Sequence, residues 1–150
     1  MVVRHRLEID APIDRVFTLV DDPEQVKRWM RGLEETVYPS RRDRRHAVGA
    51  RFTQRIRQGG RLAEFDGEVT TYEPPHHLGV RIGNERFAFE IDYRLSDLGG
   101  RTQLDYVATG SDPTGLARPA GAFFAWVTRR IAAKQMRRLK AIAESGSAGA

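Results

Sequence analysis

The stretch APIDRVFTLVDDPEQVKRWM, residues Ala11 to Met30, decides the fold, because it writes two short helices back to back directly after a single strand. Pro12 stands where a first-turn proline is tolerated, and Ile13, Val16, Phe17 and Val20 then share one helical face. Asp22 reads as the cap of a second helix, with Pro23 at its first position and Gln25 three residues beyond the cap, where a capping-box partner belongs. Immediately upstream, Val3, His5, Leu7 and Ile9 alternate with Arg4, Arg6 and Glu8, the period of a strand with one buried face.

Downstream the chain reads as antiparallel strands at about 33–41, 48–58, 61–73, 78–83, 86–95 and 101–109, with no segment of helical period among them. Charge sets two registers. A two-residue turn at Gly59-Gly60 pairs Gln58 with Arg61, and counting outward places Arg55 opposite Glu64 and Arg51 opposite Glu68 on one face. The other face then carries Ile56 with Ala63, Gln54 with Phe65, and Phe52 with Gly67, a mostly apolar set in which Gln54 is the exception. In the last hairpin, Arg94 opposite Asp105 brings Tyr93 beside Tyr106, and Phe87, Phe89, Ile91, Tyr93 and Leu95 share a face. A final helix is predicted over roughly 119–144. Its stripe of Phe124, Val127, Ile131, Gln135, Leu139 and Ile142 should face the sheet, with Arg129, Arg130, Arg137 and Lys140 mainly on the other side. At about 26 residues it spans roughly 39 Å, enough to cross a curved sheet. Residues 1–144 form one domain, and the small, polar tail 145–150 is expected to be disordered.

The chain resembles the START-like, or SRPBCC, superfamily, and within it the polyketide cyclase/dehydrase-type proteins. The resemblance rests on the strand leading into Ala11-Pro12 and Val16-Phe17, and on the Asp22-Pro23 restart ending in Trp29-Met30. The Tyr72-Glu73-Pro74-Pro75-His76-His77-Leu78 bend and the closing Arg138-Leu139-Lys140 complete it. It implies an α+β helix-grip fold of order β-α-α-β6-α: a curved seven-stranded antiparallel sheet wrapped around a long C-terminal helix, with an internal cavity. It also implies Trp29 near the cavity mouth. Cyclases of this family fold a reactive polyketone inside the pocket and steer it by shape and a few polar side chains, without metal or redox cofactor.

Composition removes other classes. With no cysteine there are no disulfides, thiolate metal ligands or thiol nucleophiles, and no apolar run is long enough for a membrane span or signal core. The chain is read as soluble and cytoplasmic. The four histidines, His5, His46, His76 and His77, offer no helical i, i+4 pair, so no metal is expected. The net charge of +5 is modest, and no nucleic-acid motif, phosphate loop, dinucleotide fingerprint or nucleophile elbow is present. Nucleic acid is therefore not an expected partner. Arg41-Arg42-Asp43-Arg44-Arg45-His46 reads as a solvated hairpin loop.

The predicted ligand-binding residues are Trp29, Gln54, Phe65, Phe89, Tyr93, Tyr106, Phe124 and Val127. Aromatic and aliphatic walls would bury a hydrophobic or aromatic small molecule, while Gln54, Tyr93 and Tyr106 would meet its oxygens. No inward carboxylate or histidine is placed as a base, and His5 reads as a hydrogen-bonded core residue. Two functions stay open for such a cavity: binding with cyclisation or dehydration of a polyketide-like molecule, and non-catalytic carriage of a lipid or other hydrophobic ligand. A third reading, ranked below both, is a membrane or protein contact through Trp126, Arg129, Arg130 and Arg137, which requires Trp126 to be exposed.

Overall fold

Strand β1 (Val2–Ile9) leads through a tight turn into helices α1 (Ile13–Asp21) and α2 (Pro23–Trp29) in a computed structural model that describes residues 1–39, 48–85, 87–111 and 121–148. Side chains are described within these ranges except at 111, 121–124 and 146–148. Pro12 serves as the cap of α1, its carbonyl accepting from the Arg15 and Val16 amides, and Val16, Phe17, Leu19 and Val20 are buried. One residue separates the helices. Asp22 caps α2 by accepting from the Glu24 amide at 3.0 Å. The capping box does not close, because Gln25 Oε1 accepts instead from Arg28 Nη1 at 2.9 Å, one turn along.

Six strands follow: β2 (Leu33–Val37), β3 (Arg51–Gln58), β4 (Arg61–Glu73), β5 (His77–Gly83), β6 (Ala88–Asp97) and β7 (Thr102–Ser111). They form a meander that β1 completes beside β7, giving one antiparallel sheet ordered β1-β7-β6-β5-β4-β3-β2. The Gly59-Gly60 turn has φ of +56° and +80°, the left-handed pair a tight hairpin turn requires. It sets the expected register at every pair from Gln58 with Arg61 to Arg51 with Glu68. In the last hairpin Tyr93 faces Tyr106 and Arg94 faces Asp105 as expected. The charge partner of Asp105, however, is Arg6 on β1, with Nε at 2.7 Å. The charge run 41–46 lies outside the described residues.

Helix α3 (Gly121–Ala148) closes the fold in the expected β-α-α-β6-α helix-grip order. It runs past the expected end at 144 into the polar tail, where Ser145 Oγ donates to Ile142 O at 2.9 Å; residues 149–150 lie outside the described residues. Its buried stripe differs from expectation. Ala132, Met136, Leu139 and Ala143 are buried, whereas Ile131 is 48% exposed and Val127 and Gln135 are only partly covered. The docked face is therefore turned by about one residue, roughly 100°. The small side chains of Ala132 and Ala143 let the helix lie close against β1 and the α1–α2 pair. Lys140, expected on the solvated face, fastens this end by donating to Glu8 O at 2.7 Å, beside Glu144, which accepts from the Asp10 amide.

Candidate functional site

Residues from α1, α2 and strands β2 to β6 enclose a pocket of about 70 Å³ between the helix pair and the sheet. Trp29 forms one wall. It sits at the end of α2, 1% exposed, and its Nε1 donates to Leu19 O at 2.7 Å, satisfying a carbonyl in the last turn of α1. Its indole meets Tyr93 edge-on, with centroids 6.3 Å apart; Tyr93 in turn meets Tyr106 edge-on at 5.4 Å. In the same lining, Phe52 covers Gly67 so closely that a Cβ there would overlap its ring. The space above Gly67 is thus filled by its own cross-strand partner.

The neutral polar side chains in this largely apolar lining include Thr36, Tyr38, Gln54 and Tyr93. Thr36 Oγ1 is buried without a hydrogen-bond partner. Such a group costs free energy unless a ligand or water supplies the missing bond. Asp21 reaches the lining from α1, where its carboxylate accepts from the Tyr72 hydroxyl at 2.9 Å.

Of the residues expected to bind ligand, the pocket gathers Trp29, Gln54 and Tyr93. Tyr106 stands behind Tyr93, against His5 at 6.2 Å, rather than in the lining. Phe65 and Phe89 belong to a separate cluster, joined through Phe87 at 6.4 and 6.0 Å. Val127 is half-buried on α3 away from the lining, and the Phe124 side chain lies outside the described residues. Thr36 was not foreseen because the β2–β3 register shifts between Leu33 and Glu35. Simple alternation from Leu33 points Glu35 inward, whereas the irregularity brings Thr36 opposite Gln54 instead.

Burial holds Tyr72, Tyr93 and Tyr106 in their protonated form. Tyr106 is pushed up to about 12 by burial, and Tyr72 to about 12 by burial and then by its hydrogen bond to Asp21. Burial, followed by the neighbouring Tyr106, raises Tyr93 well above its ordinary value. These phenols can donate and orient at neutral pH; they do not serve as bases. Among the described residues, no histidine lines the pocket. His5 Nε2 is buried without a partner rather than hydrogen-bonded as a core histidine should be. Among the described residues, no three His, Asp or Glu converge as a metal site, and no helix is long and apolar enough to cross a membrane.

The sequence model of the family described as "Polyketide cyclase / dehydrase and lipid transport" matches residues 1–144. The chain belongs to this family. No curated protein matches it by sequence. Among solved structures, a protein from Thermus thermophilus superimposes with a TM-score of 0.75 at 16% identity, covering 98% of this chain and 99% of that one. The Zhui aromatase/cyclase from Streptomyces gives 0.77 at 16% identity, covering 96% and 93%. The di-domain aromatase/cyclase (ARO/CYC) StfQ of the steffimycin biosynthetic pathway gives 0.74 at 12% identity, covering all of this chain and 53% of the longer one. At these identities the likeness is one of fold, and within this polyketide cyclase/dehydrase family the pocket must be read from its own side chains.

Proposed function

We propose that the protein binds a neutral, hydrophobic or aromatic small molecule bearing one or two oxygens, polyketide-like in character, between the helix pair and the sheet. The observation that carries this reading is the group of inward polar atoms, Thr36 Oγ1, the Gln54 amide and the Tyr93 hydroxyl, set in apolar walls. The walls supply affinity and the polar group supplies orientation. At about 70 Å³ the pocket holds about two waters at roughly 30 Å³ each, well short of the roughly 300–1,000 Å³ of sites for drug-sized ligands. Met30, half-buried and unbranched, is the wall best able to move aside for a ring. Binding and orientation are better supported than proton transfer, because among the described residues the lining holds no histidine and Tyr93 stays protonated. A cyclisation or dehydration in this pocket would use Tyr93 as a proton donor, together with shape. The family description and the two aromatase/cyclase neighbours support a polyketide-related ligand.

The test uses the placement of the two tryptophans. In a Trp126→Phe background only buried Trp29 emits, and titration with naphthol should change its fluorescence. Tyr93→Phe should narrow the preference for naphthol over naphthalene by about 1 kcal/mol while leaving naphthalene affinity nearly intact. Absence of binding by either compound, or an unchanged preference in the variant, refutes the reading.

A second reading keeps one observation. Trp126 is 54% exposed, and the Arg130 guanidinium lies 5.5 Å from its ring centroid, so the exposure required for a surface contact is met. Binding to anionic vesicles that falls with salt and with Trp126→Ala would establish it.

A further inference from the structure

A groove of about 630 Å³ lies on the other side of Trp29 and Met30, between α3 and the β3 end of the sheet. Its apolar surface comes from Met30, Ile56 and Ile131, the last unusually exposed for isoleucine. Arg31, Lys134, Arg137 and Arg138 line it, and among the described residues no carboxylate does. That imbalance is local. Elsewhere Arg6, Arg55, Arg57 and Arg81 each lie against an acidic side chain, whereas none of the four groove cations has an ion-pair partner among the described residues. Arg138 makes only a long contact, 3.5 Å, from Nη2 to Arg28 O, and its Nε is buried with no partner. Ile131, Lys134, Gln135 and Arg138 recur at helical spacing, so one face of α3 presents the apolar chain and the charges together.

We propose that this groove is a second binding site, for the carboxylate of a long-chain fatty acid: the alkyl chain lies along Ile131, Met30 and Ile56, and the head group meets Arg138 with Lys134 beside it. Cations lining an apolar groove complement a carboxylate head group, whose paired oxygens a guanidinium can take in a fork. The volume is that of a small-molecule site, roughly 300–1,000 Å³. The inference does not depend on a ligand in the inner pocket.

Calorimetry on the full chain with dodecanoate, below its micelle concentration, tests the assignment. Dodecanoate should bind, while dodecanol and dodecyltrimethylammonium bind at least tenfold more weakly. Ile131→Glu, at an exposed position, and Lys134→Glu should each weaken dodecanoate roughly tenfold or more, and Arg138→Gln should do the same. Tyr93→Phe should leave dodecanoate unchanged, and Ile131→Glu should leave naphthol binding unchanged, so failure here is separable from failure of the inner pocket. The proposal is overturned by equal affinity for dodecanol, by dodecanoate binding that ignores Ile131→Glu and Lys134→Glu, or by sensitivity to Tyr93→Phe instead. Binding to phosphatidylglycerol vesicles without binding of monomeric dodecanoate overturns it as well.

Discussion

Replacing Trp29 by phenylalanine perturbs the two helices and the pocket at once. The indole Nε1 is the donor that satisfies Leu19 O at 2.7 Å in a fully covered position, so the variant leaves that carbonyl buried without this partner. Such an omission costs about 1–3 kcal/mol. The phenyl ring is also smaller by roughly 40 Å³, which at about 24 cal/mol per Å³ of residual cavity adds about 1 kcal/mol. Urea denaturation followed by far-UV circular dichroism should therefore show a loss of about 2–4 kcal/mol, with an unchanged m-value. For a chain of this length that is a fall in Tm of roughly 4–16 °C. The vacated volume adjoins the 70 Å³ pocket, so the variant should accept naphthalene-sized rings more readily than the wild type and regain stability in their presence, about 2.7 kcal/mol at a hundredfold excess over Kd. A loss below 1 kcal/mol would refute the account of the hydrogen bond. A full loss without rescue by any ring would make Trp29 a packing residue alone, with no part in a binding wall.

The rotated face of α3 predicts that Ile131→Asp stays folded within about 1 kcal/mol, while Met136→Asp, at a position 1% exposed, abolishes the cooperative transition in thermal melts. Equal tolerance of both would mean the helix docks differently. At alkaline pH the sign follows from the raised tyrosines: unfolded phenols titrate near 10, whereas Tyr72 and Tyr106 do so at about 12 in the fold and Tyr93 well above its ordinary value. Their stabilisation is complete below pH 10 and is lost as pH rises through 12, worth at most on the order of 3 kcal/mol for buried Tyr106. Phenolate absorbance should therefore grow together with loss of far-UV signal, and full titration near pH 10 in an intact fold would contradict the burial.

What was legible in the sequence was what local chemistry decides. Gly59-Gly60 admits one tight turn, and the alternating charges of β3 and β4 accept one register, so every cross-strand pair there could be counted outward. Asp22-Pro23 likewise announced the second helix start. The misreadings arose where two elements compete for a side chain. Asp105 could be paired with Arg94 by counting within the hairpin, but β1 lies on its other side and Arg6 takes the carboxylate. Apolar size favoured Ile131 as the docked residue of α3, whereas close approach to β1 and the helix pair selected the stripe that includes Ala132 and Ala143. Thr36 was hidden by a register shift that no pattern of two reveals, and the pocket was overestimated because Phe52 lies across Gly67.

The two lined spaces differ in charge, and that difference decides what each can hold. Inside, the polar groups Thr36, Tyr38, Gln54 and Tyr93 are neutral, and among the described residues the only carboxylate in the lining is Asp21. An anion entering there would lose its hydration without gaining a cation and would approach a carboxylate, so the inner ligand has to be neutral. Outside, four cations and no acid line the groove among the described residues, so the outer ligand has to carry negative charge. Trp29 and Met30 contribute to both linings and form the partition between them. Ionic strength should then separate the sites: naphthol affinity should be flat between 0.05 and 0.5 M salt on the order of the Debye range from roughly 14 to 4 Å, while dodecanoate affinity falls across it. Equal salt dependence for both ligands would mean they share one site, and the division of labour between pocket and groove would be wrong.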